Sequence, residues 1–386
     1  MDFSLSPDHE SISKAIRERC RQFDDEYWSA CDREHRFPWD FYAAMAEDGW
    51  VGMSFPEEYG GGGQGITEAA LLMREVAASG AAMNGCTALH LTVFGLQPVV
   101  KFGNDRLKRE FLPRAAAGDL HVAFGVTEPD AGTDTSRIAT RAERDGDRWI
   151  INGKKIWTSK ALEAEVVLLL CRTEDDPEER FGGLTLFLAD LDPDHVDIRP
   201  IPKLGRNAVA SCETFYDDLP VDDWRMVGEQ GRGFYHLLSG LNPERVLIAA
   251  EAVGIGDAAL RRAVGYACER EVFGRPIGAN QALSHPLAQA HAQLQAAWLT
   301  TMQAAWRYDN DLPCGEAANT AKYLAAEAGF FAADRAMQTL GGLGYAREYH
   351  VERYWREARL MQLAPVSQEM TLNFLAQNVL GLPRSY

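Results

Sequence analysis

At 386 residues the chain is long enough for two or three domains with a substantial core. A formal charge of −17 excludes the basic face that nucleic acid demands and disfavours an anionic membrane surface, and 46% hydrophobic with 25% charged residues is an ordinary soluble balance. Seven cysteines, scattered and never in a C-x-x-C spacing, fit reduced thiols of a cytoplasmic protein and not a disulfide or zinc framework.

Met1-Asp2-Phe3-Ser4 is acidic and lacks the basic, apolar or Arg-rich pattern of a leader. Ser6-Pro7 caps a segment with Ile12, Ile16 and Phe23 at helical spacing, and Phe41 to Trp50 reads as a second, short helix. Gly60 to Gly63 form a loop that is either flexible or pressed closely against a neighbour. It lacks the G-K-[ST] ending of a P-loop. Thr67 to Ser79 and Asn84 to Lys101 are two apolar helices, and Asn104 caps another that ends near Gly118.

From Leu120 the period changes. His121 to Thr127, Arg148 to Trp157, Val166 to Cys171, Leu184 to Ala189 and Glu213 to Tyr216 are short apolar runs. Asp145-Gly146, Asn152-Gly153 and Gly182-Gly183 between them are hairpin signals, which predicts an antiparallel β domain. The longest apolar run, Val166 to Cys171, is far too short to cross a bilayer. After Pro220 the helical period returns, with candidates Asn242 to Arg270, Ala282 to Tyr308, Glu316 to Leu340 and Ser367 to Leu380. Long helices with short links predict an up-down bundle. The expected fold class is α+β: an N-terminal helical domain (1–118), a middle antiparallel β domain (119–228) and a C-terminal four-helix bundle (229–386).

Asn242 reads as an N-cap and Pro243 as the first helical residue of a helix apolar on every face. Glu244 then stands one turn from a dry interior. Burial disfavours its charge, whereas the helix N-terminus and Arg245 favour it, and a carboxylate between such influences is a candidate general base. Glutamate is also common in first turns for dipole reasons alone, and on this stretch by itself that ordinary reading prevails.

The sequence contains no H-E-x-x-H, G-x-S-x-G or strand-borne G-x-G-x-x-G, and its nine histidines are dispersed, with His285 and His291 read as structural. Val126 to Asp134 instead ends a strand with small and hydroxyl residues in turn geometry. Such a loop leaves backbone N–H groups free for an anion or a polar ring edge, or is simply a well-capped surface loop.

Taken together, several stretches closely resemble the acyl-CoA dehydrogenase family. They are Val126-Thr127-Glu128-Pro129 with Gly132-Thr133-Asp134, Ile151 to Trp157 (Ile-Asn-Gly-Lys-Lys-Ile-Trp), and Glu269-Arg270 with Phe273-Gly274. Gln338-x-Leu340-Gly341-Gly342-x-Gly344-Tyr345 and Val351-Glu352-Arg353 complete the series, in the family's order and spacing. The resemblance runs from the N-terminal helices almost to Tyr386. It implies FAD between the β domain and the bundle, with Phe124, Val126 and Thr127 along the isoalloxazine ring, Trp157 on its face and Ser159 near N5. Gly132 and Thr133 would approach the pyrophosphate or the thioester end of the substrate. Arg270, Phe273, Gln338 and Gly342 would touch the FAD of a neighbouring subunit, and Ser367 stands where the family has a Thr near the adenosine half.

Most family members carry the catalytic base in a Tyr-Glu-Gly-Thr stretch. Here the matching residues are Ala364-Pro365-Val366-Ser367, without a carboxylate. A subset including isovaleryl-CoA and long-chain acyl-CoA dehydrogenases has the base in a Leu-x-x-Glu-Arg stretch, matched by Leu241 to Arg245, which assigns it to Glu244. Thr133, Arg245, Pro365 and Val366 fall at substrate-contacting positions. The implied reaction in fatty acid metabolism is α,β-dehydrogenation of an acyl-CoA to the trans-2-enoyl-CoA. It would be carried out by a homotetramer (a dimer of dimers) that passes electrons to an electron-transfer flavoprotein. An oxygen-using relative, acyl-CoA oxidase or nitroalkane oxidase in kind, is the alternative, and a scaffold that has lost turnover is a third. Lys203-Leu204-Gly205-Arg206-Asn207 departs from the family's Lys-x-Gly-x-Arg order.

Overall fold

Capping chemistry sets the first helices. The computed structural model describes residues 4–176 and 178–384, so Met1, Asp2 and Phe3 of the leader reading lie outside it. Helix α1 (Pro7–Cys20) starts where the Ser6 hydroxyl accepts from the His9 N–H, as the sequence predicts. Helix α2 (Asp25–Glu34), capped by Asp24, is new: its buried side includes Asp32 beside Trp28 and Cys31, which hides the apolar period. Then come α3 (Trp39–Glu47), α4 (Ile66–Val76), α5 (Ala82–Val93), α6 (Gln97–Phe102) and α7 (Asp105–Ala117). Asn104 caps α7 by accepting from the Leu107 N–H, and Gly118 ends it in the left-handed region. The stretch read as one helix from Asn84 to Lys101 is two, broken after Val93. The Gly60–Gly63 loop is pressed, not loose: a Cβ on Gly61 would lie 2.2 Å from the Phe55 carbonyl oxygen.

The middle of the chain is one sheet of β1 (Val122–Gly125), β2 (Arg141–Asp145), β3 (Arg148–Ser159), β4 (Val166–Arg172), β5 (Leu184–Asp190), β6 (Val196–Pro200), β7 (Ser211–Asp222) and β8 (Met226–Val227). Strands run in the order β6-β7-β3-β2-β4-β5-β8, with β1 on β4. The sheet is not purely antiparallel, because β1 and one residue pair of β2 run parallel to β4. Asp145-Gly146 does turn between β2 and β3, but Asn152-Gly153 is no turn. It lies inside β3, where Gly153 takes φ +148 at a register slip against β7. The sequence reading misses β2 because only Ala142 of its five residues is buried.

Past the sheet lie α8 (Gly233–Leu238), α9 (Leu241–Glu269), a hairpin of β9 (Glu271–Val272) and β10 (Arg275–Pro276), α10 (Gln281–Asp309), α11 (Gly315–Leu340), α12 (Val351–Leu363) and α13 (Gln368–Phe374). Helix α9 packs against α4, α10, α11 and α12. Its contact with α11 is close: a Cβ on Gly329 would come within 2.4 Å of the Ala252 carbonyl oxygen. Asn242 is not the N-cap. Gly240 is, and the Asn242 Oδ1 instead accepts from Arg245 Nη1 at 3.1 Å. The predicted helix Ser367 to Leu380 is α13 followed by a π-turn at Leu375–Val379. Helix α12 takes the remaining place beside α9 and α11, and the sequence conceals it because Arg353 and Glu357 sit on its buried face.

Candidate active site

Glu244 and Glu251 are two turns apart on α9, so both carboxylates emerge on one face. His90 of α5 stands between them. Its Nε2 lies 2.7 Å from Glu244 Oε2 and its Nδ1 2.7 Å from Glu251 Oε1. Glu251 is wholly buried, while the Glu244 side chain is 24% exposed, so the row leads from the interior to an opening. Glu244 Oε1 has no hydrogen-bond partner among the described residues. Burial alone opposes a charged His90, but the two carboxylates outweigh it and hold the imidazole well above its ordinary value. As an imidazolium it donates from both nitrogens. Sequence alone singles out neither His90 nor Glu251. The available signal is Glu251 itself, a charge inside the otherwise apolar run from Val246 to Val253, since a buried charge requires a partner.

Arg245 lies beside this row. Its Nε, like the Nζ of Lys322 on α11, is buried without a partner among the described residues. Burial lowers Arg245 from its ordinary value, and burial with Arg245 nearby lowers Lys322 to about 8.

The β domain gathers the residues expected around a flavin at the end of β1 and β3. Phe124 and Val126 pack, partly buried, on the sheet's core, and the Thr127 carbonyl accepts from the Ile156 N–H at 2.9 Å. The loop beyond is anchored by a buried ion pair: Lys155 Nζ donates to Glu128 Oε1 at 2.9 Å and to the Val126 carbonyl at 3.1 Å. Glu128 also accepts from the Ala139 and Thr140 N–H groups at 2.8 and 2.9 Å. So held, the loop presents Gly132 and Thr133 outward. Their amides donate to nothing among the described residues, and a Cβ on Gly132 would meet open space.

Trp157 sits in a register slip of β3 at φ +63, which turns a half-exposed indole out of the sheet. Ser159 Oγ accepts from Arg206 Nη2 at 3.1 Å. The altered Lys203–Asn207 order thus sends Arg206 inward. The next residue, Lys160, is buried and donates to the Ala88 carbonyl and Thr92 Oγ1, both at 3.0 Å. That contact ties the end of β3 to α5, the helix that carries His90.

Arg270, Phe273, Gln338 and Gly342 lie elsewhere. From Glu244 to Arg270 is about 39 Å along α9 at 1.5 Å per residue. All four are exposed, Phe273 completely, at the tip of the β9–β10 hairpin. One chain therefore does not bring them to Glu244. Pro365 and Val366 lie in the link between α12 and α13, and the Ser367 hydroxyl accepts from the Met370 N–H as the cap of α13.

Acyl-CoA dehydrogenase domain families match along the chain: the N-terminal domain at residues 6–119, the middle domain at 123–219 and the C-terminal domain at 231–380. The chain is 41% identical over 391 residues to acyl-CoA dehydrogenase FadE12 of Mycobacterium tuberculosis (strain ATCC 25618 / H37Rv), covering 100% of this chain and 99% of that one. Among solved structures it superposes on glutaryl-coenzyme A dehydrogenase in its glutaryl-CoA complex with TM-score 0.92 and 31% identity, over 100% of this chain and 98% of that. Butyryl-CoA dehydrogenase from Megasphaera elsdenii gives TM-score 0.93 at 28% identity, over 98% and 100%.

Proposed function

We infer the reaction from one premise: this chain belongs to the acyl-CoA dehydrogenase family of FAD-dependent oxidoreductases. We propose that it converts an acyl-CoA to the trans-2-enoyl-CoA, with Glu244 removing the α-proton. The observation that carries this is the carboxylate itself, half-buried at the start of α9 with Oε2 fixed by His90 and Oε1 unpartnered among the described residues. Its position spares it much of the water it would otherwise shed before meeting a weak carbon acid. The open amides of Gly132 and Thr133, the outturned Trp157 and the neighbouring Ser159 suit FAD, which when bound supplies the acceptor for the β-hydride. An anaerobic panel of acyl-CoAs tests the reading. At least one saturated thioester should bleach the flavin band, and none doing so would remove the assignment.

The exposed Arg270, Phe273, Gln338 and Gly342, so far from Glu244, fit contacts with a neighbouring subunit's FAD in a homotetramer, with an electron-transfer flavoprotein as acceptor. Arg270→Ala should then lose flavin faster than wild type, increasingly so on dilution. Stoichiometric FAD on a sedimenting monomer would contradict it.

The resemblance implies a backbone N–H on the thioester oxygen at the position of Pro365; proline has none, the Ala364 N–H is spent on the Leu360 carbonyl, and we assign the contact to the Val366 N–H. One such donor stabilises a transition state by about 2.7–4 kcal/mol. Pro365→Ala should therefore change the flavin-reduction rate. A shift in melting temperature with the rate untouched would make Pro365 a turn residue only.

A further inference from the structure

A base that must meet one carbon atom needs its free oxygen aimed, and Glu244 on its own has rotatable bonds and an open side. We propose that His90 is the positioning residue for Glu244: its imidazole, fixed from behind by Glu251, holds Glu244 Oε2 and leaves Oε1 directed at the substrate. The proposal rests on Glu244 being the base.

The geometry supports it from three sides. The two contacts at His90 are equally short, 2.7 Å each, and use the two ring nitrogens, so the ring cannot rotate without breaking one. Glu251 is fully buried in the middle of α9, and its other oxygen, Oε2, has no hydrogen-bond partner among the described residues, so its one hydrogen bond is spent on His90. Helix α5 is itself pinned on the far side by Lys160, whose Nζ holds Ala88 O and Thr92 Oγ1. The row therefore starts in a rigid interior and ends at the reacting oxygen.

The charged and titratable groups around His90 are few. Glu244 and Glu251 face it from α9, and Cys86 on its own helix lies near Glu251, where burial first and Glu251 next push the thiol up. Arg206, from the loop before β7, and Arg245, on α9, are close enough for Glu251 and Glu244 respectively to act on them. Gln in place of His90 can hold one of the two carboxylates but not both, so Glu244 Oε2 loses a partner that is fixed from behind. Glu251→Gln loosens the ring from behind while leaving the contact between His90 and Glu244 possible.

The test compares three holoenzyme variants on one acyl-CoA. His90→Gln should reduce flavin on the order of 10²-fold more slowly, as expected for a misplaced reacting group, with acyl-CoA affinity kept. Glu251→Gln should show a smaller loss of rate, again with affinity kept. In the wild type, ¹⁵N-histidine spectra should show one imidazole doubly protonated above its ordinary titration range, and that signal should vanish in His90→Gln. A near-normal rate in His90→Gln, or a loss confined to acyl-CoA affinity, beside a disabled Glu244→Gln, would overturn the positioning role while leaving the base in place. A fully active Glu244→Gln would remove the base itself. If His90→Gln is poorly folded, a neutral His90 at pH 7 in the wild-type spectrum overturns the proposal by itself.

Discussion

Glu244→Gln should still bind FAD and acyl-CoA but reduce flavin roughly 10²–10⁴ times more slowly, the range for losing a positioned general base. The substitution keeps the volume and a hydrogen bond to His90 Nε2, so the packing of α9 on α5 survives. What it removes is the lone pair on Oε1 that would accept the α-proton. Among the described residues, Glu251 is sealed in the core with one oxygen on His90, and the link from Ala364 to Ser367 between α12 and α13 carries no carboxylate. Rapid-mixing absorbance under nitrogen, with substrate affinity read from the same titration, separates lost chemistry from lost binding. Reduction at the wild-type rate would mean that another group takes the proton.

The largest stability effect should come from the flavin-side loop. Glu128→Ala leaves Lys155 charged in the core without its carboxylate, and breaking a buried pair in that way costs about 3–5 kcal/mol. It also frees the Ala139 and Thr140 amides, so the loop bearing Gly132 and Thr133 should loosen and FAD should leave more readily. Replacing both partners, Glu128→Leu with Lys155→Met, should recover the part of the loss that comes from the stranded charge but not the part from the Ala139 and Thr140 amides left without an acceptor. Chemical denaturation of the three proteins reads this directly, and a Glu128→Ala variant as stable as wild type would show the pair to be dispensable. The pair also sets a pH dependence. Burial alone would raise the Glu128 carboxyl, but Lys155 and the Thr140 and Ala139 hydrogen bonds outweigh it and hold it below the usual range. Its contribution is therefore present above the ordinary glutamate value and is lost as pH falls through the lower native one.

The order of helices, sheet and bundle was legible because each change of period is local: Asn104 and Gly118 bracket α7 on their own chemistry, and Val166 to Cys171 can scarcely be anything but a buried strand. What escaped was structure whose buried face carries charge. Helices α2 and α12 bury Asp32, Arg353 and Glu357, and strand β2 turns almost everything outward. Such residues belong inside only because partners from distant segments meet them, as Glu357 meets the Met83 and Asn84 donors of α5. The candidate site divides the same way. Glu244 stands out as a candidate only through the resemblance, from the Leu241 to Arg245 match and the missing carboxylate at Pro365. His90 does not, since its role depends on α5 crossing α9 at one turn, a contact over 154 residues of chain.

The most direct measurement of the central claim isolates proton removal from hydride transfer. An acyl-CoA with sulfur in place of its β-carbon has no β-hydride to give, so exchange of its α-protons with deuterium oxide reports the base alone. The wild-type holoenzyme should exchange deuterium into the α-position, His90→Gln should do so more slowly, and Glu244→Gln should scarcely do so at all. Exchange by Glu244→Gln at the wild-type rate would contradict the account.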